Sequence, residues 1–178
     1  MDKLLIRGGQ RLSGTVEIRG AKNAALPAFA AALLSDKPLT LRNLPDVVDV
    51  KTMQTLLEGY GVAFSGRAAD ALTLDAARAG PRETSYDTVR KMRATVLVLG
   101  PLIARFGEAR VSLPGGCAIG ARPVDLHIKA LEALGAEINV AGGYIEAKAP
   151  RGLTGARIVF PFSSVGATET ALLAASLS

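Results

Sequence analysis

A repeat of about 73 residues runs through this chain and limits the folds that it can adopt. Gly20, Arg93 and Gly166 are spaced 73 residues apart, and each is followed by an alanine that begins an apolar stretch. Self-similarity at a fixed interval is typical of folds that are built by repeating one structural unit. We therefore predict units that begin near residues 20, 93 and 166. A second set of matches has a spacing of 74 residues and pairs Val50 with Val124, Leu57 with Leu131, Glu58 with Glu132 and Gly61 with Gly135.

Each unit combines helical and strand-like patterns. Apolar residues at steps of three and four predict the helices, and the two helices of the second set end in a glycine suited to a left-handed cap. The Gly142-Gly143 pair predicts a tight hairpin turn. We predict an α/β fold with pseudo-threefold symmetry in which the more apolar helices are buried. The third unit stops at Ser178, before its second helix, so we expect a chain truncated within a domain. Alternating segments predict strands at residues 15–19, 39–42, 62–65, 71–74, 109–113, 137–140, 144–147 and 157–160.

The composition argues against several classes of protein. The 178 residues carry a net charge of +5, but Lys and Arg are scattered, and residues 90–93 form the one basic cluster. Aromatic residues make up 4% of the chain, too few to stack nucleic-acid bases, so an anionic small molecule explains the charge better. The longest apolar stretch, residues 24–34, is too short to span a bilayer. With one cysteine there is no internal disulfide, and we expect a cytoplasmic protein without nucleic-acid or membrane partners.

Cys117 is the leading candidate for a reactive group. Two glycines precede it and Gly120 follows it, so the backbone is free to loop and expose the sulfur. Arg122 and a helix predicted to open at Pro123 place positive potential near the thiol, which favours the thiolate. The alternative is a buried structural cysteine, which is the usual role of a lone thiol. The glycines and the arginine favour the reactive interpretation.

The residues around Cys117, with Lys22-Asn23 and the threefold unit, resemble the N-terminal portion of the UDP-N-acetylglucosamine enolpyruvyl transferases. Residues 114–127 read PGGCAIGARPVDLH and carry most of the resemblance, which extends over essentially the whole chain. It implies an inside-out α/β barrel of two domains, each containing three copies of the unit. Residues 1–20 would be strands belonging to the second domain, residues 21–178 an incomplete first domain, and the second domain would be absent.

The resemblance also implies an activity. The enolpyruvyl group of phosphoenolpyruvate would move to the 3-hydroxyl of UDP-N-acetylglucosamine with release of phosphate, without a metal or organic cofactor. This reaction is the first committed step of peptidoglycan synthesis. The enzyme would therefore contribute to cell wall biogenesis, cell shape, the cell cycle and cell division, and it would be a target of fosfomycin. The family's catalytic base lies in the second domain, so we expect the isolated chain to be inactive.

Three alternatives stay open. The chain by itself could be a UDP-sugar-binding half-enzyme without catalysis. The related shikimate-pathway transferase lacks the cysteine loop and carries Lys-Ser where this chain has Lys22-Asn23. A basic nucleic-acid-binding domain lacks support from aromatic or clustered basic residues.

Residue roles follow from the resemblance as expectations. Cys117 would be the catalytic acid. Lys22 and Asn23 would bind phosphoenolpyruvate, and Asn23 could also cap the following helix. Contacts to UDP-N-acetylglucosamine would come from Arg93, Arg122, Pro123, Val124, Asp125, Leu126, Ser163, Ser164 and Val165.

Three further expectations concern neighbouring residues. The pattern favours His127 as a helix histidine with its hydrogen bonds satisfied. Many members of the family have a basic residue at the position of Phe162, so an ionic contact to the nucleotide would be missing or replaced. An apolar face along Ala171, Leu172 and Ala175 would favour self-association through the truncated unit.

Overall fold

The computed structural model describes residues 3–9, 11–68, 70–81, 93–113 and 124–178. These residues form helices and strands in alternation, so the predicted α/β class is confirmed. The α-helices in these ranges are α1 (Lys22–Ala31), α2 (Val48–Gly59), α3 (Leu99–Phe106), α4 (Asp125–Ala133) and α5 (Val165–Ala175), and two 3-10 helices span Ala32–Leu34 and Arg93–Val98. The strands are β1 (Leu39–Arg42), β2 (Ala63–Arg67), β3 (Ala71–Asp75), β4 (Glu108–Ser112), β5 (Glu137–Ala141) and β6 (Tyr144–Lys148).

The strands form two antiparallel sheets with the same topology. Their orders are β1-β3-β2 and β4-β6-β5, so the last strand of each unit lies at the centre of its sheet. The burial pattern is the same along β3 and β6, with two buried positions alternating with partly exposed ones. One face of each sheet therefore packs on the interior. The arrangement of three units about an axis stays a prediction.

The helices α2 and α4 end in the same capping motif. After α2, Gly61 has a φ of 93° and its N–H donates to the Glu58 carbonyl at 2.9 Å, while the Val62 N–H donates to the Leu57 carbonyl at 3.0 Å. After α4, Gly135 has a φ of 96° and the two equivalent bonds also measure 2.9 and 3.0 Å. Left-handed backbone favours glycine, and these bonds satisfy carbonyls that the helix leaves free. The predicted glycine caps are confirmed.

The hairpin between β5 and β6 is also confirmed. Gly142 and Gly143 have φ values of 58° and 83°, which is the combination that a type I′ turn requires.

The most apolar helices pack against one another in the interior. The 3-10 helix Arg93–Val98 continues directly into α3, and this segment contacts both α1 and α5. Gly100 permits the close approach of α3 to α5, because a Cβ there would lie 2.8 Å from the Thr170 carbonyl oxygen. The helix α2 covers α1, and α4 covers α5. The predicted burial is confirmed for α3, whose first five residues are all buried, whereas α5 leaves Val165 and Leu172 76% and 65% exposed.

Arg105, at the end of α3, ties distant segments together. Its Nη1 donates to the carbonyl oxygens of Leu33, Ser35 and Ala76 at 3.1, 2.9 and 3.1 Å. These acceptors lie after α1 and after β3. Hydrogen bonds from a charged donor are stronger than neutral ones, so this side chain contributes to stability.

Two strand predictions are wrong. Residues 15–19 and 157–160 lie in no strand of the described chain. Residues 15–19 are exposed, and Ile18 leaves 90% of its surface accessible to solvent. A strand requires a neighbour that exchanges ladder hydrogen bonds with it, and no described strand pairs with these segments. Alternation along a sequence indicates the two faces of a strand, but it cannot show that a partner is present.

Candidate functional site

Lys22 lies in the first turn of α1 and forms an ion pair with Asp49 in the first turn of α2. The distance from Lys22 Nζ to Asp49 Oδ2 is 2.6 Å, and the two side chains are 47% and 41% exposed. An ion pair with this exposure adds little stability. It keeps the ammonium group accessible, so an incoming anion can compete with the Asp49 carboxylate.

Sequence reasoning missed Asp49. Its position favours another interpretation, because acidic residues are common in the first turn of a helix, where they complement the helix dipole. Only the packing of α1 against α2 brings its carboxylate to Lys22.

The chain entering α1 is held against the loop that precedes α2. The Gly20 N–H donates to Asn43 Oδ1 at 3.3 Å. A Cβ at Gly20 would lie 2.0 Å from the Asn43 carbonyl oxygen, so no larger residue fits without movement of the backbone. Asn43 itself has a φ of 54°, which asparagine tolerates better than most residues. This contact fixes the start of α1 and therefore the position of Lys22.

The alternative role of Asn23 as the N-cap of α1 is wrong. The N-cap of α1 is Ala21, which has no side-chain capping bond, and Asn23 is the second residue of the helix. The asparagine side chain is exposed, so its amide is accessible to a ligand. Its role in binding phosphoenolpyruvate stays a prediction.

The helix α4 carries three of the residues expected to bind the nucleotide. Val124 is its N-cap, and Asp125 and Leu126 are its first two residues. The Leu126 side chain is 6% exposed and packs inward, so a ligand would reach only its backbone. The first N–H groups of a helix have no partner within the helix and point towards its N-terminal end, where an anion is favoured. The helix begins two residues after Pro123.

The helix α5 carries the remaining residues of the expected site. Ser164 is its N-cap, and the Ser164 Oγ accepts a hydrogen bond from the Ala167 N–H at 3.3 Å. Burial raises the pKa of the Glu169 carboxyl above its ordinary value of 4.5. An open groove of about 590 Å³ runs along this helix start and is lined by Phe160, Phe162, Ser163, Ser164, Val165, Thr168 and Glu169.

His127 connects the two helix starts. Its Nδ1 lies 2.8 Å from the Thr170 Oγ1, and its ring lies beside Gly166 in the first turn of α5. The prediction that His127 is a helix histidine with a satisfied hydrogen bond is confirmed. The contact places the first turn of α4, through the His127 ring, beside Gly166 in the first turn of α5.

Several expected site residues lie outside the described part of the chain. These are Cys117, Arg122 and Pro123, and the same applies to the side chain of Arg93, whose backbone begins the 3-10 helix Arg93–Val98. Within the described ranges, no group of three or more His, Cys, Asp or Glu side chains could hold a metal ion. Every helix described is too short or too polar to cross a membrane.

The fold and the sequence match one class of protein, the carboxyvinyl transferases. The chain belongs to the family described as EPSP synthase (3-phosphoshikimate 1-carboxyvinyltransferase), which it matches over residues 6–178. Among individual proteins, it is 64% identical over 176 residues to UDP-N-acetylglucosamine 1-carboxyvinyltransferase 2 of Mesorhizobium japonicum. It is 58% identical over 178 residues to UDP-N-acetylglucosamine 1-carboxyvinyltransferase of Acidiphilium cryptum. These alignments cover 99% and 100% of this chain but 42% of each relative, so the chain spans about two fifths of their length.

Solved structures support the same fold. The enolpyruvyl transferase NikO from Streptomyces tendae superposes with a TM-score of 0.74 at 28% identity, covering 94% of this chain and 39% of that one. EPSP synthase from Acinetobacter baumannii superposes with a TM-score of 0.69 at 17% identity, covering 93% and 38%. The second likeness concerns the fold alone. Both superpositions support the enolpyruvyl-transferase fold type that the sequence predicts.

Proposed function

We propose that this protein transfers the enolpyruvyl group of phosphoenolpyruvate to the 3-hydroxyl of UDP-N-acetylglucosamine. The observation that carries the proposal is the identity of 64% and 58% to proteins named for carboxyvinyl transfer to UDP-N-acetylglucosamine, over essentially the whole chain. On this proposal the protein serves peptidoglycan synthesis in the cytoplasm and thereby cell wall biogenesis, cell shape and cell division.

In the proposed reaction, the sugar hydroxyl oxygen bonds to the central carbon of phosphoenolpyruvate while the methylene carbon takes a proton. The tetrahedral adduct then loses phosphate and a proton from the new methyl group, which restores the double bond. Cys117 would deliver the first proton, because a thiol near positive charge can have a pKa close to the working pH. The base that takes the hydroxyl proton is not assigned to a residue of this chain.

Lys22 and Asn23 would hold phosphoenolpyruvate. The ammonium of Lys22 lies 2.6 Å from the Asp49 carboxylate in this structure, and a substrate carboxylate or phosphate offers the same kind of partner. We propose that the substrate anion displaces Asp49 from Lys22 on binding. Because the pair is about half exposed, the exchange would not require burial of an unpaired charge.

The starts of α4 and α5 would hold the nucleotide. Val124, Asp125 and Leu126 would act at one helix start, and Ser163, Ser164 and Val165 at the other, with Arg93, Arg122 and Pro123 completing the site. Two adjacent helix starts present free backbone N–H groups and the positive ends of two helix dipoles, which suit a diphosphate. Phe162 is 60% exposed on the groove, where an aromatic contact would replace the ionic contact of other members.

The assay measures phosphate release from phosphoenolpyruvate by the full-length gene product. We expect release with UDP-N-acetylglucosamine and none with shikimate 3-phosphate, the substrate class that the family's description suggests. Turnover with shikimate 3-phosphate alone would refute the proposal. Cys117→Ser should lower the rate, and fosfomycin should add one adduct to the unsubstituted protein but not to the variant.

A second candidate applies to this chain taken by itself. Since it spans about two fifths of its relatives, it would bind UDP-N-acetylglucosamine without catalysing transfer. The exposed face around Leu172, which is 65% exposed, would then favour self-association. Calorimetric titration with UDP-N-acetylglucosamine, with the mass in solution measured in parallel, distinguishes binding without turnover from a catalytic chain.

A further inference from the structure

The contact between α4 and α5 includes a small polar joint, the pair of His127 and Thr170. His127 is the third residue of α4, and its Nδ1 lies 2.8 Å from the hydroxyl of Thr170 in α5. Thr170 is fully buried, so this hydroxyl has no access to water and requires a partner within the protein. Loss of the histidine nitrogen would therefore leave a buried polar atom unpaired.

Gly166 allows the imidazole to lie against the first turn of α5. A Cβ at this position would lie 3.2 Å from His127 Cε1 and 3.4 Å from Nε2, which is closer than side-chain carbons usually approach. Gly166 is also one of the three positions of the 73-residue repeat. The joint thus combines a hydrogen bond deep in α5 with direct packing at its N-terminal turn.

Burial of the ring favours its neutral form. Burial lowers the pKa of His127 from its ordinary value of 6.5, and the nearby Asp125 carboxylate opposes this shift. A neutral imidazole has one donor and one acceptor nitrogen, and its tautomer decides whether Nδ1 donates to the Thr170 hydroxyl or accepts from it. Glu169 lies one residue from Thr170 on α5, and burial raises the pKa of its carboxyl.

We propose that His127 and Thr170 are positioning residues for the nucleotide site, holding the first turn of α4 at a fixed distance from the first turn of α5. The inference rests on the proposed function, in which Asp125 and Leu126 on α4 and Ser164 and Val165 on α5 contact the same nucleotide diphosphate. Neither His127 nor Thr170 is assigned a ligand contact. Their effect is on geometry, because they set the spacing between the backbone N–H groups at the two helix starts that would bind the diphosphate.

The test compares Thr170→Val, Thr170→Ser, His127→Phe and the Thr170→Val/His127→Phe double variant in the full-length protein. Calorimetry gives the dissociation constant for UDP-N-acetylglucosamine, and steady-state kinetics gives kcat and KM for both substrates. For Thr170→Val and for His127→Phe we expect about tenfold weaker nucleotide binding, with kcat and the KM for phosphoenolpyruvate within about twofold of the unsubstituted protein. Thr170→Ser keeps the hydroxyl and should retain binding.

The double variant separates a joint from two independent effects. If the two residues act together, the double variant binds UDP-N-acetylglucosamine no more weakly than the single variant with the lower affinity does. A matched control is Thr73→Val, which removes the 2.9 Å hydroxyl contact between Thr73 and Thr40 in the first sheet and should leave nucleotide binding unchanged. Urea unfolding of every variant confirms that the binding data come from folded protein.

The outcomes distinguish the inference from the proposed function. Normal nucleotide affinity in Thr170→Val overturns the inference and leaves the proposed function intact. The same holds if the losses of binding free energy in the two single variants simply add in the double variant, or if the affinities for both substrates fall equally. If the unsubstituted protein does not bind UDP-N-acetylglucosamine, the proposed function fails and the inference fails with it.

Discussion

Replacing Gly20 by alanine should both destabilise the protein and displace Lys22. The new Cβ would lie 2.0 Å from the Asn43 carbonyl oxygen and 3.2 Å from its carbon. Carbon and oxygen atoms in close backbone contacts are normally about 3.3 Å apart or more, so the two segments must separate by about 1.3 Å. Both atoms that Gly20 faces belong to the backbone, and rotation of a side chain cannot relieve the overlap. The Gly20 N–H would also move away from Asn43 Oδ1.

The expected loss follows from two opposing terms. Overpacking of this kind costs about 1–3 kcal/mol, and somewhat more where the backbone must move. Gly20 has no left-handed φ, so alanine can adopt its conformation and restricts the unfolded chain, which contributes about 0.4–1 kcal/mol of stability. We therefore expect a net decrease of about 2 kcal/mol in the free energy of unfolding. Displacement of Lys22 by about 1 Å should reduce phosphate release by roughly ten- to a hundredfold.

Urea unfolding followed by circular dichroism measures the first effect, and phosphate release by the full-length protein measures the second. The matched control is Gly155→Ala, because a Cβ at Gly155 meets no heavy atom within 4 Å and Gly155 also lacks a left-handed φ. This control should be neutral or slightly more stable, by up to about 1 kcal/mol. If Gly20→Ala has the stability and activity of the control, the close contact with Asn43 does not position α1, and the reasoning is wrong.

Three further predictions concern stability. Gly100→Ala should lower the free energy of unfolding by about 1–3 kcal/mol, because its Cβ would lie 2.8 Å from the Thr170 carbonyl oxygen; an unchanged urea midpoint would contradict the observed packing of α3 on α5. Arg105→Ala should lower the free energy of unfolding by about 2–3 kcal/mol, because it removes a charged donor from three carbonyls. Arg105→Lys should recover part of this loss in thermal melts. Equal losses in the two variants would rule out a role for the charge. Folding lowers the pKa of His127 below 6.5, so the unfolded chain binds protons more readily than the folded chain. The stability that this residue contributes above pH 6.5 is therefore lost as the pH falls through its pKa in the folded state. His127→Asn should unfold in urea with a weaker dependence on pH between about 7 and 5, and an identical dependence would show that another group is responsible.

The sequence by itself determined the features that depend on nearby residues. The α/β class follows from the alternation of helical and strand patterns, and the caps at Gly61 and Gly135 and the turn at Gly142-Gly143 occur where they were predicted. These features depend on residues within about five positions of one another, because a helix cap or a tight turn closes its own hydrogen bonds. The motif around Cys117 similarly indicated the family, since it is a continuous stretch of sequence.

The tertiary structure decided which distant side chains meet. The partners of Lys22, Arg105 and His127 lie on other segments of the chain, and for His127 and Arg105 they are 29 to 72 residues away. The predicted strands at 15–19 and 157–160 failed for the same reason, because a strand exists only with a neighbour. Such contacts depend on how all the helices and sheets pack together, and local sequence patterns contain no information about that packing. Hence the sequence identified Lys22 as a candidate for binding, but only the packing of α1 on α2 places Asp49 beside it.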